Sequence, residues 1–465
     1  MKHPELGRFF AAGRRNTVRI SRRASLQAAK ATTKLWILLL SCLVPVASAA
    51  QANPGLGQTG DTLQYVVYVT RHGVRSPTAK AEKYTPYAKG AWPAWPVQPG
   101  FLTPHGFHLM ELFGAFDRLQ FAQQGLLPES GCAGAAQVSI YTDSDERTIE
   151  TGKAIAQGLM PGCALTVLGR PERTRDPLFH PVDGSPLEGS NATPTAALAR
   201  AAIAGRIGGD PENLTQAYAT PIGALDRILA TCGTGFADHV TRTSLLAVPE
   251  TLAAGTGDHL ADLKGPLFTA STLSENLLLE YAEGMPASKV GWGCVHGSDI
   301  AWLMSLHAAA TDYTERTPAV ARAQAANLLN TIRLSIEQAT GKRPLPGALG
   351  KPSDRALFLV GHDTNLENLA GVLNLNWILD GRRDDTPPGS ALVFEVWHRP
   401  GNDAYSVRTY FTAQTLDQMR NASPLTLSRP PERVPVFLPG CSQADGSCPL
   451  PAFLLLLKSA QGAGL

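Results

Sequence analysis

The chain is poor in charge. Asp, Glu, Lys and Arg make up 17% of its 465 residues, and the formal net charge is +2. Such a balance leaves no footprint for nucleic acid or for an anionic membrane surface. No apolar run after residue 50 is long enough to span a bilayer. No Cys-x-x-Cys pair or His-rich cluster has zinc spacing. There is no internal repeat, and no low-complexity tract beyond the N-terminal segment. What is present is a 44% hydrophobic chain, long enough for two domains and able to bury a large core.

The first 50 residues are nearly free of acids. They carry Arg14-Arg15, Arg19, Arg22-Arg23 and Lys34, then the apolar run from Leu35 to Leu40, then Ala47-Ser48-Ala49. A basic region, a short apolar core and an A-x-A site predict a secretory signal, and hence a periplasmic or secreted protein. Ser21–Leu26 has a twin-arginine look with Ser25 where Phe is usual, so the export route stays open. Cys42 belongs to the removed segment. Six cysteines remain, an even number that suggests disulfides in an exported protein. Cys441 and Cys448 flank a turn-rich segment that can fold back on itself. For Cys232 and Cys294, free buried thiols are the alternative.

The chain begins as α/β. Tyr65–Val69 reads as a buried strand. Thr103-Pro104 caps and opens a helix running to about Gly125. A strand at Val138–Tyr141, a helix containing Arg147 capped by Asp143 or Ser144, and a strand at Ala164–Leu168 follow. From about residue 190 to 345 nearly every segment reads as helical or irregular. The sheet resumes at Ala356–Val360, and Leu392–Val396 with Tyr405–Thr412 reads as an antiparallel pair. The expected fold is therefore a central mixed sheet flanked by helices, with a smaller inserted helical domain. Its divisions are 1–50 for signal and leader, 61–187 and 317–465 for the α/β domain, and 188–316 for the insertion.

Two loops concentrate the chemistry. The first strand delivers Thr70-Arg71-His72-Gly73-Val74-Arg75-Ser76-Pro77-Thr78. Two guanidiniums beside one imidazole are poor structural glue, but Arg forks fit a multi-oxygen anion between them. The strand 356–360 delivers Gly361-His362-Asp363-Thr364-Asn365. In open α/β sheets ligands gather at the carboxyl ends of strands, and Arg147 follows such an end too. Taken singly, His72 could be an ordinary loop histidine, Arg147 a helix-surface cation and Asp363 an N-cap. His105, His108, His180, His239, His259, His307 and His398 have no such neighbours in sequence and receive no role.

These two motifs together resemble the histidine acid phosphatases, most closely the bacterial periplasmic phytase and acid phosphatase branch. Trp92-Pro93, Leu102-Thr103-Pro104, Asp145-Glu146-Arg147-Thr148, Gly284-Met285-Pro286, Gly291-Trp292-Gly293, Arg316-Thr317-Pro318, Leu375-Asn376-Trp377, Thr386–Gly389 and Gln414-Thr415-Leu416 extend the likeness over nearly all of the mature chain. The resemblance implies a phosphoglycerate-mutase-like sheet with a helical insertion. It implies that His72 attacks phosphorus to form a phosphohistidine, and that Arg71, Arg75, Arg147 and His362 surround the phosphoryl group. Asp363 would protonate the leaving oxygen. Thr78, Lys80, Asp143, Glu275 and Thr364 would lie toward the substrate. No cofactor or metal is implied, the partner is a small phosphorylated substrate (phytate or a sugar phosphate), and a monomer is expected. The pairs Cys132–Cys163 and Cys441–Cys448 are likewise implied by the resemblance.

Three departures bear on the substrate. Ala79 stands where the branch usually has Lys, with Lys80 one place later. Cys294 follows Gly-Trp-Gly where Arg is common, and Gln324 stands where a base is expected. A hexakisphosphate needs many cations around its rim, so these losses weaken a phytate assignment without touching phosphomonoester chemistry. A glucose-1-phosphatase-type enzyme, a mutase-like phosphotransferase and a phosphate-binding protein without turnover are the alternatives.

Overall fold

A strand inside a sheet must be apolar on both faces, and Tyr65–Val69 is. It lies in β1 (Thr62–Arg71), within an eight-stranded mixed sheet among the described residues. The computed structural model describes residues 60–182, 194–233, 242–257 and 259–461. The expected signal and leader, residues 1–50, lie outside them.

After β1 come α1 (Pro104–Gln123), β2 (Val138–Thr142), α2 (Glu146–Leu159) and β3 (Val167–Gly169). A helical stretch follows, with α3 (Pro194–Arg206), α4 (Glu212–Thr231), the hairpin β4 (Thr251–Ala254) and β5 (Ala261–Lys264), α5 (Pro266–Ala282) and α6 (Gly297–Tyr313). The chain returns to the sheet through α7 (Pro318–Gly341), β6 (Ala356–Gly361) and α8 (Asp363–Leu373). It ends with the short pair β7 (Ile378–Leu379) and β8 (Arg382–Arg383), the long pair β9 (Ala391–Arg399) and β10 (Ala404–Ala413), α9 (Leu416–Arg420), β11 (Glu432–Pro435), β12 (Ser447–Pro449) and α10 (Leu450–Ala460).

The sheet order is β11-β10-β9-β1-β6-β2-β3, with β12 also paired to β10. β1, β6, β2 and β3 are parallel, whereas β9 runs antiparallel to β1 and to β10. The period-two alternation of β1 sorts its side chains onto two cores. Tyr65, Val67 and Val69 pack with Leu357, Leu359 and residues of α7, α8 and α10. Val66 and Tyr68 pack on the other face with Phe113, Ile155 and others from α1 and α2. A third core fills the helical stretch with residues such as Leu225, Leu277 and Leu303, and Val74, Leu109 and Met419 reach into it.

Local chemistry explains the element ends. Thr103 caps α1, its Oγ1 accepting from Gly106 N at 2.8 Å, with Pro104 at the first helical position. Gly106 is required by a close approach, since a Cβ there would meet Val74 O at 2.0 Å. Sequence reading erred in three places. The N-cap of α2 is Asp145, because the carboxylate of Asp143 is engaged elsewhere. β3 begins at Val167, where pairing with Ile140 of β2 starts. The helical stretch also contains the β4–β5 hairpin, whose strands are only four residues long and too short to show a period.

Disulfides join Cys132 to Cys163, Cys232 to Cys294 and Cys441 to Cys448. The second pair ties the end of α4 to the turn before α6. Among the described residues no helix is long and apolar enough to cross a membrane.

Candidate active site

Three neighbouring parallel strands end together, and each hands its next residues to one place. Arg71 of β1 is in register with Gly361 of β6, and Thr142 of β2 pairs with Val360. Beyond the sheet, His72 N donates to Gly361 O at 3.0 Å and Asp143 N to Val360 O at 2.9 Å. The backbone thus fixes Arg71-His72, His362-Asp363 and Asp143 side by side, although the first two pairs lie nearly 300 residues apart in the chain.

His72 is 2% exposed. Its Nδ1 lies 2.9 Å from Gly73 O. A carbonyl only accepts, so Nδ1 carries the proton and Nε2 carries the lone pair. Burial, then the charges of Arg147, Arg71 and Arg75, hold the imidazole well below its ordinary pKa. The ring is neutral, as a nitrogen nucleophile must be. Thr151 Oγ1 accepts from Gly73 N at 3.0 Å and steadies the turn.

Arg71 is fully buried. Its Nη2 contacts Glu275 Oε1 and lies 2.9 Å from Asp363 Oδ2, while Nη1 donates to Thr386 O. Burial disfavours its charge, but Asp363 and Glu275 outweigh that and hold its pKa up. Arg75 Nη2 reaches the same Glu275 oxygen at 3.1 Å. Glu275, on α5, is therefore the clamp that keeps two guanidiniums together. Burial opposes its ionisation, yet Arg75 and Arg71 hold its carboxyl below the usual range. Asp363 is likewise held low against burial, chiefly by Arg71. Its Oδ1 accepts from Thr364 N at 2.8 Å, so it begins α8 and faces Arg71 at once.

Arg147 projects from the first turn of α2. Its Nη2 lies 2.6 Å from Asp145 Oδ2 and 3.3 Å from His362 Nδ1. Burial lowers its pKa. The ring of His362 stands 5.7 Å from that of His72, centre to centre. Its Nε2 contacts Asp143 Oδ2 at 2.6 Å, and burial is the main cause of its lowered pKa. Asp143 is 1% exposed and held low, against burial, by hydrogen bonds from His180 and His362.

The structure thus brings His72, Arg71, Arg75, Arg147, His362, Asp363, Asp143 and Glu275 into one cluster. Thr364 joins it through its backbone. Thr78 and Lys80 are exposed and sit outside the cluster's hydrogen bonds described above. The loop that carries them lines an open cleft of about 230 Å³ with Tyr84, Trp92, Trp95 and Glu82. Two histidines to which the sequence assigned nothing also reach the cluster. His180 Nε2 is 2.9 Å from Asp143 Oδ2. His307, on α6, holds Ser271 Oγ at 3.0 Å and adds positive field at Asp363. Neither has a neighbour in sequence that would have marked it.

Comparison with known proteins agrees with this geometry. The family model of the histidine phosphatase superfamily (branch 2) matches residues 62–197 and 269–412. Phytase AppA of Escherichia coli is 37% identical over 436 residues, covering 92% of this chain and 97% of its own. A glucose-1-phosphatase of Salmonella typhimurium is 30% identical over 426 residues, covering 90% and 96%. Among solved structures, Hafnia alvei phytase in complex with tartrate superposes with a TM-score of 0.76 at 36% identity, covering 87% of this chain and 98% of that one. The same phytase in complex with myo-inositol hexakis sulphate gives 0.75 at 37%, with the same coverage. The chain belongs to branch 2 of the histidine phosphatase superfamily and is an enzyme of the histidine acid phosphatase type.

Proposed function

We propose that the protein is an exported phosphomonoesterase that works through a phosphohistidine on His72. The observation that carries this reading is a buried, neutral His72 with Nδ1 fixed by Gly73 and three arginines close enough to depress its pKa. Arg71, Arg75 and Arg147 each also keep a buried Nε–H with no acceptor among the described residues. Such donors suit the equatorial oxygens of a transferring phosphoryl group, where charge is spread in the transition state.

In the first step Nε2 of His72 forms the bond to phosphorus as the ester P–O bond breaks, and Asp363 gives a proton to the leaving oxygen. In the second, water attacks phosphorus, Asp363 takes its proton, and the P–N bond returns its electrons to His72. Asp363 is ionised in the ligand-free protein because Arg71 pairs with it. A phosphate ester draws on the same guanidinium charge and adds negative charge beside the carboxylate. Both effects raise the pKa of Asp363 in the complex, so the proton is present at acidic pH. Asp143 on Nε2 of His362 favours an imidazolium there once a phosphate dianion adjoins the ring.

Phytate is the first substrate reading, since phytases of 36–37% identity cover nearly the whole chain. A sugar phosphate is the second. The cleft beside Ser76–Lys80 offers Lys80 as its cation against Glu82, with Tyr84, Trp92 and Trp95 as walls. That lining suits a hexose ring better than a rim of phosphates. Export is supported by the basic, apolar N-terminus and the three disulfides. We read 61–187 and 317–465 as the catalytic domain and 188–316 as an insertion that supplies Glu275 to the cage.

Initial rates on phytate, glucose 1-phosphate and p-nitrophenyl phosphate, each with and without EDTA, test this reading. Turnover of at least the chromogenic ester, unchanged by EDTA, is expected. No hydrolysis of any ester, or loss on chelation, would contradict it.

A further inference from the structure

We propose that Asp143, His180 and His362 form a binding site for a borderline divalent transition cation, with zinc as the probe, on the wall of the cage. One donor atom from each residue lies within 4.8 Å of the others. His362 Nε2 and His180 Nε2 converge on the same oxygen, Asp143 Oδ2, at 2.6 and 2.9 Å, with their ring centres 5.3 Å apart. Asp143 Oδ1 is buried and has no hydrogen-bond partner among the described residues. Two donors crowd one carboxylate oxygen while the other is left bare, an imbalance that a cation held by the carboxylate and both rings would relieve. Two imidazoles and one carboxylate are a zinc-class donor set, and a poor one for calcium or magnesium, which prefer oxygen cages.

The supports of a metal site are in place. Asp143 stands at the end of β2, its N–H on Val360 O. His362 N donates to Asn365 Oδ1 at 2.9 Å, and Asn365 Nδ2 donates to Phe179 O at 2.8 Å, beside His180. Asp176 fixes the same loop, accepting from Leu178 N and from Tyr141 Oη. Outer contacts of this kind hold ligands in register. Arg147, 3.3 Å from His362 Nδ1, opposes a cation, but Asp145 offsets it: its Oδ2 binds Arg147 at 2.6 Å and lies 3.7 Å from His362 Nε2. His180, 24% exposed at its side chain, gives the way in. Ligation through both Nε2 atoms moves each ring's proton to Nδ1. In His362 this turns the acceptor of Arg147 into a donor, so the metal site and the cage share a switchable ring.

Calorimetric titration of the purified protein with zinc chloride in phosphate-free buffer tests this without reading turnover, and so separately from the catalytic proposal. One zinc per chain is expected, bound far more tightly than calcium or magnesium. His180→Asn and Asp143→Asn should each weaken binding by about tenfold or more, and His180→Cys, which returns a ligand, should restore much of it. Cobalt(II) should give visible d–d bands that His180→Asn removes. Absence of stoichiometric zinc uptake would overturn the site, as would uptake indifferent to both Asn variants.

Discussion

At the scale of residues, the cage is a problem in charge placement. Arg71, Arg75 and Arg147 would repel one another without Glu275, Asp363 and Asp145 between them. On the proposed mechanism His72→Ala removes the nitrogen that would form the bond to phosphorus, and it should lower kcat by at least about 10⁴-fold, with an unchanged circular dichroism spectrum. Asp363→Asn should cost about 10²–10⁴ in rate, and more on alkyl phosphates than on p-nitrophenyl phosphate, whose leaving group needs no proton. A uniform loss across leaving groups would remove Asp363 from the acid role. Glu275→Gln leaves Arg71 and Arg75 sharing a neutral partner. It should destabilise the ligand-free protein by about 3 kcal/mol, and millimolar inorganic phosphate should return part of the lost Tm, because the anion takes the carboxylate's place. His72, Arg71 and Arg75 were legible in sequence because two guanidiniums crowd one imidazole in a Gly-bearing loop. Asp143 was placed toward the substrate only by the family resemblance, and His180 and His307 were assigned nothing, because each becomes chemical only through a partner distant in the chain: His362 lies 219 residues from Asp143.

At the scale of elements, the long strands and the cap of α1 were readable, whereas the cap of α2, the short strands and the registers were not. The apolar run of β1 and the Thr103-Pro104 cap announce themselves locally. The β4–β5 hairpin is too short to show a period, and the start of β3 is set by pairing with β2 rather than by its own residues. The contact between α1 and the motif loop is another such hidden constraint. Gly106→Ala would press a methyl against the carbonyl of Val74, which follows His72-Gly73. It should cost about 1–3 kcal/mol and also slow turnover, since the loop must move to make room. Denaturant midpoints and kcat measured on the same preparation check both effects, and a variant with wild-type values would show that the loop yields freely.

At the scale of the molecule, the buried acids favour mild acid. Asp117, Glu280 and Glu367 are pushed up to about 8 by burial, so the native state holds protons that the unfolded chain has lost above its ordinary carboxyl range. Their contribution is full below that range and disappears as pH rises toward about 8. Asp143, Asp363 and Glu275 act oppositely, and their contribution is lost only as pH falls below the ordinary carboxyl range. Tm should therefore be highest near pH 5 and fall steadily to pH 8, in scans at fixed ionic strength; a Tm that climbed over that interval would contradict these burial assignments. The same sign suits the proposed mechanism, because His72 stays neutral in acid while a bound phosphate ester would raise the pKa of Asp363. The disulfides differ in reach. Cys232–Cys294 spans a sequence separation of 62 and Cys441–Cys448 one of 7. By loop entropy their removal should cost about 4 and about 2 kcal/mol respectively, which paired Cys→Ala variants would measure.

The most direct test is to quench the enzyme into base during turnover of p-nitrophenyl phosphate and to map the phosphorylated peptide. Phosphate bound to a ring nitrogen of His72, absent in His72→Ala, is the expected result. Continued turnover with phosphate on another residue, or with direct transfer to water shown by inversion at phosphorus, would contradict it.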